Sequence, residues 1–342
     1  MFQQVLLQIL HKLNDERTVS AAYHLLKGKR SGQTIQDVGL FKLHAFFGLL
    51  PKLQRAVFDK EVATFMQYSW LKMQETGHYS LTKLGIQHAE QTLTFLLDGW
   101  HYRGNEHIFF ARLSLVVQSL SYQKEKVKSF SPISKDEIVQ KWVRAFLIDQ
   151  QYSKNHLQQQ LFEELSQVVE ESVVSENSKQ LLMYRLSGHS VPGWTWQQLA
   201  SERKESELDS QLAFVEILHC LLNAVNKSET SPLLVKISEG LRVQAMLTES
   251  AQQTANLYEK GYSLEQIVHI RRLKQSTIED HLVEFAMNEP NFSIGAFVTY
   301  EDAQSVLQAS LNLQTKKLKV LHEELPHLSY FQLRLILAKG EV

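Results

Sequence analysis

The residues with the most legible chemistry lie between Lys260 and Leu282: Arg271, Arg272 and Lys274, followed by Gln275, Ser276, Thr277 and His281. Cations at that density hold phosphate oxygens, and polar side chains at the start of the next helix are placed to meet a DNA groove. Around them Leu257, Ile267, Val268, Leu273, Ile278, Leu282 and Phe285 fall where a three-helix core needs apolar groups. Ser263 with Gln266, and Ser276 with Glu279, have the spacing of capping boxes. The pattern predicts two short helices set at a sharp angle by Arg271-Arg272-Leu273-Lys274, a helix-turn-helix. A second basic cluster, Lys316, Lys317 and Lys319, opens a later helix where positive charge opposes the dipole and an anion would relieve it. Lysines on a solvated face are the plainer alternative there. Lys27, Lys29 and Arg30 add a third basic joint far away in sequence.

One pattern opposes DNA reading. Glu279, Asp280 and Glu284 occupy the front of the expected recognition helix, where carboxylates repel phosphate and accept only from cytosine among the bases. The formal net charge of -1 adds that the whole chain does not attract polyanions. DNA contact must then be local, assisted by a partner, or replaced by a protein contact.

Other chemistries are not supported. Gly28-Lys29-Arg30-Ser31 has Tyr23 where a phosphate loop needs its first glycine and Arg30 where it needs a hydroxyl, so no nucleotide hydrolysis is expected. His78, His101, His107 and His189 show no helical metal spacing, and Cys220 is the lone cysteine, set among Leu218, Leu221 and Leu222 as an inert core thiol. Glu163-Glu164 and Glu170-Glu171 read as a solvated helix face. No enzyme, cofactor, metal or small-molecule substrate is expected. The N-terminus lacks a basic n-region and cleavage site, and the apolar stretches 41–53 and 108–120 are broken by charges and histidine. The expectation is a cytoplasmic protein with no membrane span, with nucleoid association open to it.

The elements that must position these residues are mostly helices, since only six prolines and fourteen glycines interrupt Leu-, Gln-, Glu- and Lys-rich runs. Helices are expected from Thr34 to Leu50, from about Glu61 to Glu75, from Ser134-capped Glu137 to Leu147, and through 149–176. Tyr79-Ser80-Leu81-Thr82 reads either as the strand closing a winged helix, with Thr82 capping the next helix, or as part of a plain helix-turn-helix pair. Ile294 to Val298 is a candidate strand, and Thr195, Thr299 and Ser329 are candidate caps. Polar stretches at 121–135 and 226–232 predict three segments: a helical domain over 1–125 with the possible wing, a helical region over 133–225, and the helix-turn-helix domain over 233–342.

Thr254, Leu257, Tyr258, Gly261, Ser263, Ile267, Leu273, Lys274, Ser276, Thr277, Ile278, His281 and Leu282, with Leu318, Leu325, Pro326, Ser329, Tyr330, Arg334 and Leu337, resemble the helicase helix-turn-helix domain at the C-terminus of RecQ-type DNA helicases. The Gly261 to Leu282 spacing is also similar to response-regulator helix-turn-helices, which leaves a transcription regulator as the alternative reading. Lys27-Gly28-Lys29-Arg30-Ser31, Gln33-Thr34-Ile35-Gln36-Asp37 and Pro192-Gly193-Trp194-Thr195-Trp196 resemble the YpbB-type proteins, which carry this domain without a motor and are encoded beside a RecQ-like helicase. The resemblance implies a non-enzymatic adaptor of DNA repair or recombination, with DNA and a RecQ-type helicase as partners.

Overall fold

Leu-, Gln-, Glu- and Lys-rich runs fold as helices because these side chains lose little freedom there and their apolar members recur three and four apart. The computed structural model describes residues 1–13, 15–74, 77–91, 95–151, 156–243, 247–289 and 291–340. In chain order the helices are α1 (Phe2–Leu13), α2 (Val19–Leu26), α3 (Gly32–Leu40), α4 (Arg55–Gln67), α5 (Lys83–Ala89), α6 (Gly99–Tyr102) and α7 (Glu106–Lys124). Then come α8 (Glu137–Asp149), α9 (Leu157–Glu171), α10 (Glu176–Arg185), α11 (Trp196–Arg203), α12 (Glu207–Val225) and α13 (Pro232–Ser238). The last are α14 (Glu249–Glu259), α15 (Leu264–Arg271), α16 (Gln275–Asn288), α17 (Tyr300–Asn312), α18 (Leu318–Glu324) and α19 (Tyr330–Lys339). One antiparallel hairpin, β1 (Leu71–Met73) with β2 (Tyr79–Leu81), stands between α4 and α5. The fold is mainly α.

Two units share the chain. The helical unit combines Met1–Val5, Ala45–Lys52 and Gln91–Val243; the helix-turn-helix unit combines Leu6–His44, Leu53–Glu90 and Gln244–Val342. This grouping cuts across the expected segments 1–125, 133–225 and 233–342. Polar stretches do mark exposed chain, as at Lys124 to Ser129, but exposure does not say which helix faces pair. Here α3 packs against α16 and α19, almost the full chain length away.

In the helical unit α12 lies at the centre, with Leu212, Phe214, Ile217, Leu218, Leu221 and Leu222 all buried. It is long and apolar enough to cross a membrane by length and composition, the one such helix among the described residues. Its apolar side chains are instead the core of this unit. Trp194 stacks on Tyr184 at 4.6 Å and Trp196 meets Phe214 at 5.3 Å, so both indoles pin the joint before α11 to the core.

In the helix-turn-helix unit the hairpin follows α4, and Thr18 makes an isolated antiparallel bridge to His78 beside it. The buried Tyr79 hydroxyl donates to the Leu10 carbonyl at 2.7 Å and ties the hairpin to α1. Thr82 caps α5 through the Gly85 amide. A Cβ on Gly85 would sit 2.1 Å from the Trp70 carbonyl oxygen, so only glycine fits this corner.

Several local expectations are corrected. The helix expected over Thr34–Leu50 stops at Leu40, because Lys42 turns to φ 52° and the Leu43 amide bonds back to Val38. The helix placed at 61–75 begins and ends earlier, as α4, so that Leu71–Met73 can pair in the hairpin. The cap of α8 is Asp136, not Ser134. The run 149–176 is not one helix, since α8 ends at Asp149 and α9 starts at Leu157. Ile294 to Val298 forms no strand; its apolar ends are buried without a ladder partner. Glu164 is not solvated. It is buried and accepts from the Leu233 and Leu234 amides at 2.9 and 3.1 Å, capping α13 in place of Ser231.

Candidate nucleic-acid interface

The helix-turn-helix forms where the spacing placed it. Ser263 and Gln266 make a complete capping box on α15, and α14, α15 and α16 pack around Ile267, Ile278 and Leu282, each fully buried. Arg272 adopts φ 52°, the left-handed turn that separates α15 from α16 and that disfavours residues with a Cβ. The second capping box does not form. The N-cap of α16 is Lys274, with no side-chain cap, because the helix starts two residues earlier than expected and Ser276 already lies inside it.

The expected recognition helix is open only in its first turn. Arg272, Lys274, Gln275 and Ser276 are exposed and Thr277 is half-buried. From His281 to Ala286 every residue is buried. Of the three acids on this helix, Glu284 is buried, while Glu279 and Asp280 are half-buried and engaged with other helices. Asp280 accepts from the Gln36 amide at 3.1 Å and pairs closely with Arg334, whose guanidinium also lies 3.8 Å from Glu279. Glu284 accepts from both the amide and the hydroxyl of Thr248, the cap of α14. These carboxylates hold α16 against α3, α14 and α19. On α3, a Cβ at Gly39 would sit 1.8 Å from the Met287 methyl, so glycine there permits the close approach.

Four further predicted contact residues, Arg271, Lys316, Lys317 and His281, are also used internally. Arg271 donates to the Ser250 carbonyl, the Thr254 hydroxyl, the Ser250 hydroxyl at 3.1 Å and the Gln253 side chain at 2.9 Å, lashing α15 to α14. Burial lowers its pKa. Lys316 reaches the Leu40 carbonyl and lies over the Phe41 ring, with its pKa lowered by burial first and Lys42 second. Lys317 pairs with Asp15 at 3.0 Å. His281 is buried and bonded to Thr254 at 2.9 Å, and burial, then Arg271, lowers its pKa. It faces the core, not a groove of DNA. Lys319 is exposed on α18.

What remains exposed is the helix-turn-helix joint with Arg272 and Lys274. The α3 residues Gly32 and Gly39 lie beside Asp280 and Met287 of α16, so the two helices run in the same direction with their N-termini on one side. Arg30, just before α3, lines a groove of about 480 Å³ with Thr277 and Asp280. Arg30 was not among the predicted contacts of this helix-turn-helix. The spacing of Gly32 and Gly39, seven residues apart on one helix face, was the available signal that α3 approaches another helix closely. Cys220 is half-buried, not fully so, and burial together with Glu216 pushes its thiol up to about 12, which leaves it inert.

An elbow of two short helices with a cationic joint defines a helix-turn-helix protein, and a family model described as a helix-turn-helix domain matches residues 250–337. The likeness extends beyond that domain. The chain is 32% identical over 345 residues to protein YpbB of Bacillus subtilis (strain 168), covering 99% of this chain and 97% of that protein, and it belongs to the YpbB family. No solved structure matches the chain.

Proposed function

We propose that the chain is a non-enzymatic, cytoplasmic accessory protein of DNA repair or recombination. It grips DNA by its phosphates at the helix-turn-helix joint and works beside a RecQ-type helicase. The observation that carries this reading is the exposed pair Arg272 and Lys274 at the uncapped start of α16. Helix amides left without a side-chain cap, the positive end of a dipole and two exposed cations together suit a phosphate. Beyond Thr277 the side chains are buried or, at Glu279 and Asp280, engaged by Arg334, so the binding is directed by backbone or DNA shape. For the same reason a transcription regulator reading an operator through α16 is disfavoured. The helicase partner rests on the resemblance of the C-terminal domain to those of RecQ-type helicases.

The test is fluorescence anisotropy on duplex, forked and single-stranded DNA. Salt-sensitive binding that weakens on Arg272→Ala with Lys274→Ala supports the proposal. No binding to any of the three at about 50 mM salt would remove it, because phosphate-directed affinity is greatest there. Co-purification with a helicase from nuclease-treated lysate tests the partner, and a partner lost to the nuclease would leave DNA as the bridge.

A further inference from the structure

The helical unit carries a feature that the helix-turn-helix does not use. A trough of about 720 Å³ runs between the end of α7, the segment that follows it, and α8. That volume falls within the roughly 300–1,000 Å³ of ordinary binding pockets. Its floor is mainly aliphatic, formed by the buried Leu115, Val143 and Leu147 beside the half-buried Phe130, and Ile148 at its lip is 66% exposed.

The charged residues lining it are Lys126, Lys128 and Arg144, all exposed and all of one sign. Lys126 and Lys128 lie on the segment after α7 and Arg144 on α8, so both walls are cationic. Among the described residues none of the three is paired with a carboxylate. Two acids of α8 are engaged elsewhere: Glu137 with Lys141 at 3.8 Å and Asp149 with Lys236 at 2.8 Å.

We propose that this trough docks an acidic segment of a protein partner that carries two or three large apolar side chains. The aliphatic floor removes such side chains from water, and three like charges without counter-ions are relieved by carboxylates on the same segment. A fatty acid would answer only one of the three cations. A nucleic-acid strand would find a single aromatic face, Phe130, where successive bases need several.

The experiment uses the full chain and random twelve-residue peptides displayed on phage. Enriched peptides are then measured by fluorescence anisotropy on wild type and on the Lys128→Glu, Arg144→Glu double variant. Both positions are exposed, so the variant keeps its fold, which thermal melting checks. The expected peptides are acidic and rich in Leu, Ile or Phe, and the double variant weakens them about tenfold or more, the scale of losing two exposed ion pairs and gaining two repulsions. DNA binding at the helix-turn-helix stays unchanged in this variant. Enrichment of neutral or basic peptides, no enrichment, or equal affinity for the double variant would overturn the proposal. So would a trough that takes oleate at micromolar concentration while ignoring every acidic peptide.

Discussion

Replacing Arg272 and Lys274 together by Ala changes how DNA affinity depends on salt more tellingly than it changes affinity itself. Each phosphate neutralised on duplex DNA contributes about -0.9 to the slope of log K against log salt. Two lost contacts flatten the slope by about 1.8. Between 50 and 200 mM NaCl each contact costs about 3.5-fold in affinity, so the wild type falls about twelvefold further than the variant across that range. Both side chains are exposed and the Lys274 side chain makes no capping bond at α16, so the variant melts like the wild type. The assay is anisotropy of a labelled 20-base-pair duplex, titrated at four salt concentrations. Parallel salt lines for the two proteins would refute the assignment of these cations to phosphates, even if the variant bound more weakly.

Arg271→Ala acts in the opposite way. It removes the bonds that tie α15 to α14 and costs about 1.5–3 kcal/mol of stability, read by denaturant unfolding, without flattening the salt slope. Gly85→Ala forces a Cβ onto the Trp70 carbonyl and costs about 1–3 kcal/mol or more, so the melting temperature falls. The buried His281 has a lowered pKa, so the unfolded chain binds its proton first as pH drops. Its contribution is full above about pH 6.5 and is lost as pH falls towards the lowered value, and His281→Gln makes the melting temperature less sensitive to pH across that window.

Local chemistry was legible in the sequence where partner and cap lie three residues apart. Ser263 with Gln266, Thr195 with Gln198 and Ser329 with Gln332 all form complete boxes. The Ser276 and Glu279 pair has the same spacing and fails, because Glu279 lies beside Arg334, 55 residues on, and helix formation begins at Gln275. Asp280 was read as an exposed carboxylate since nothing near it in sequence satisfies it; its partner Gln36 is 244 residues away. The segment Ile294 to Val298 forms no strand although its residue types allow one, as a strand requires a neighbour that the sequence does not name. Periodicity thus revealed the elbow, while the closure of its second helix by α3 and α19 was a tertiary fact.

The central claim is that α16 offers macromolecules only its first turn, and amide hydrogen exchange of the intact chain with and without duplex DNA addresses it most directly. Peptides covering residues 279–288 should exchange slowly and equally in both conditions, whereas those covering 271–277 should slow when DNA is added. Fast exchange across 279–288 in the free chain, or new protection there on DNA binding, would contradict the account.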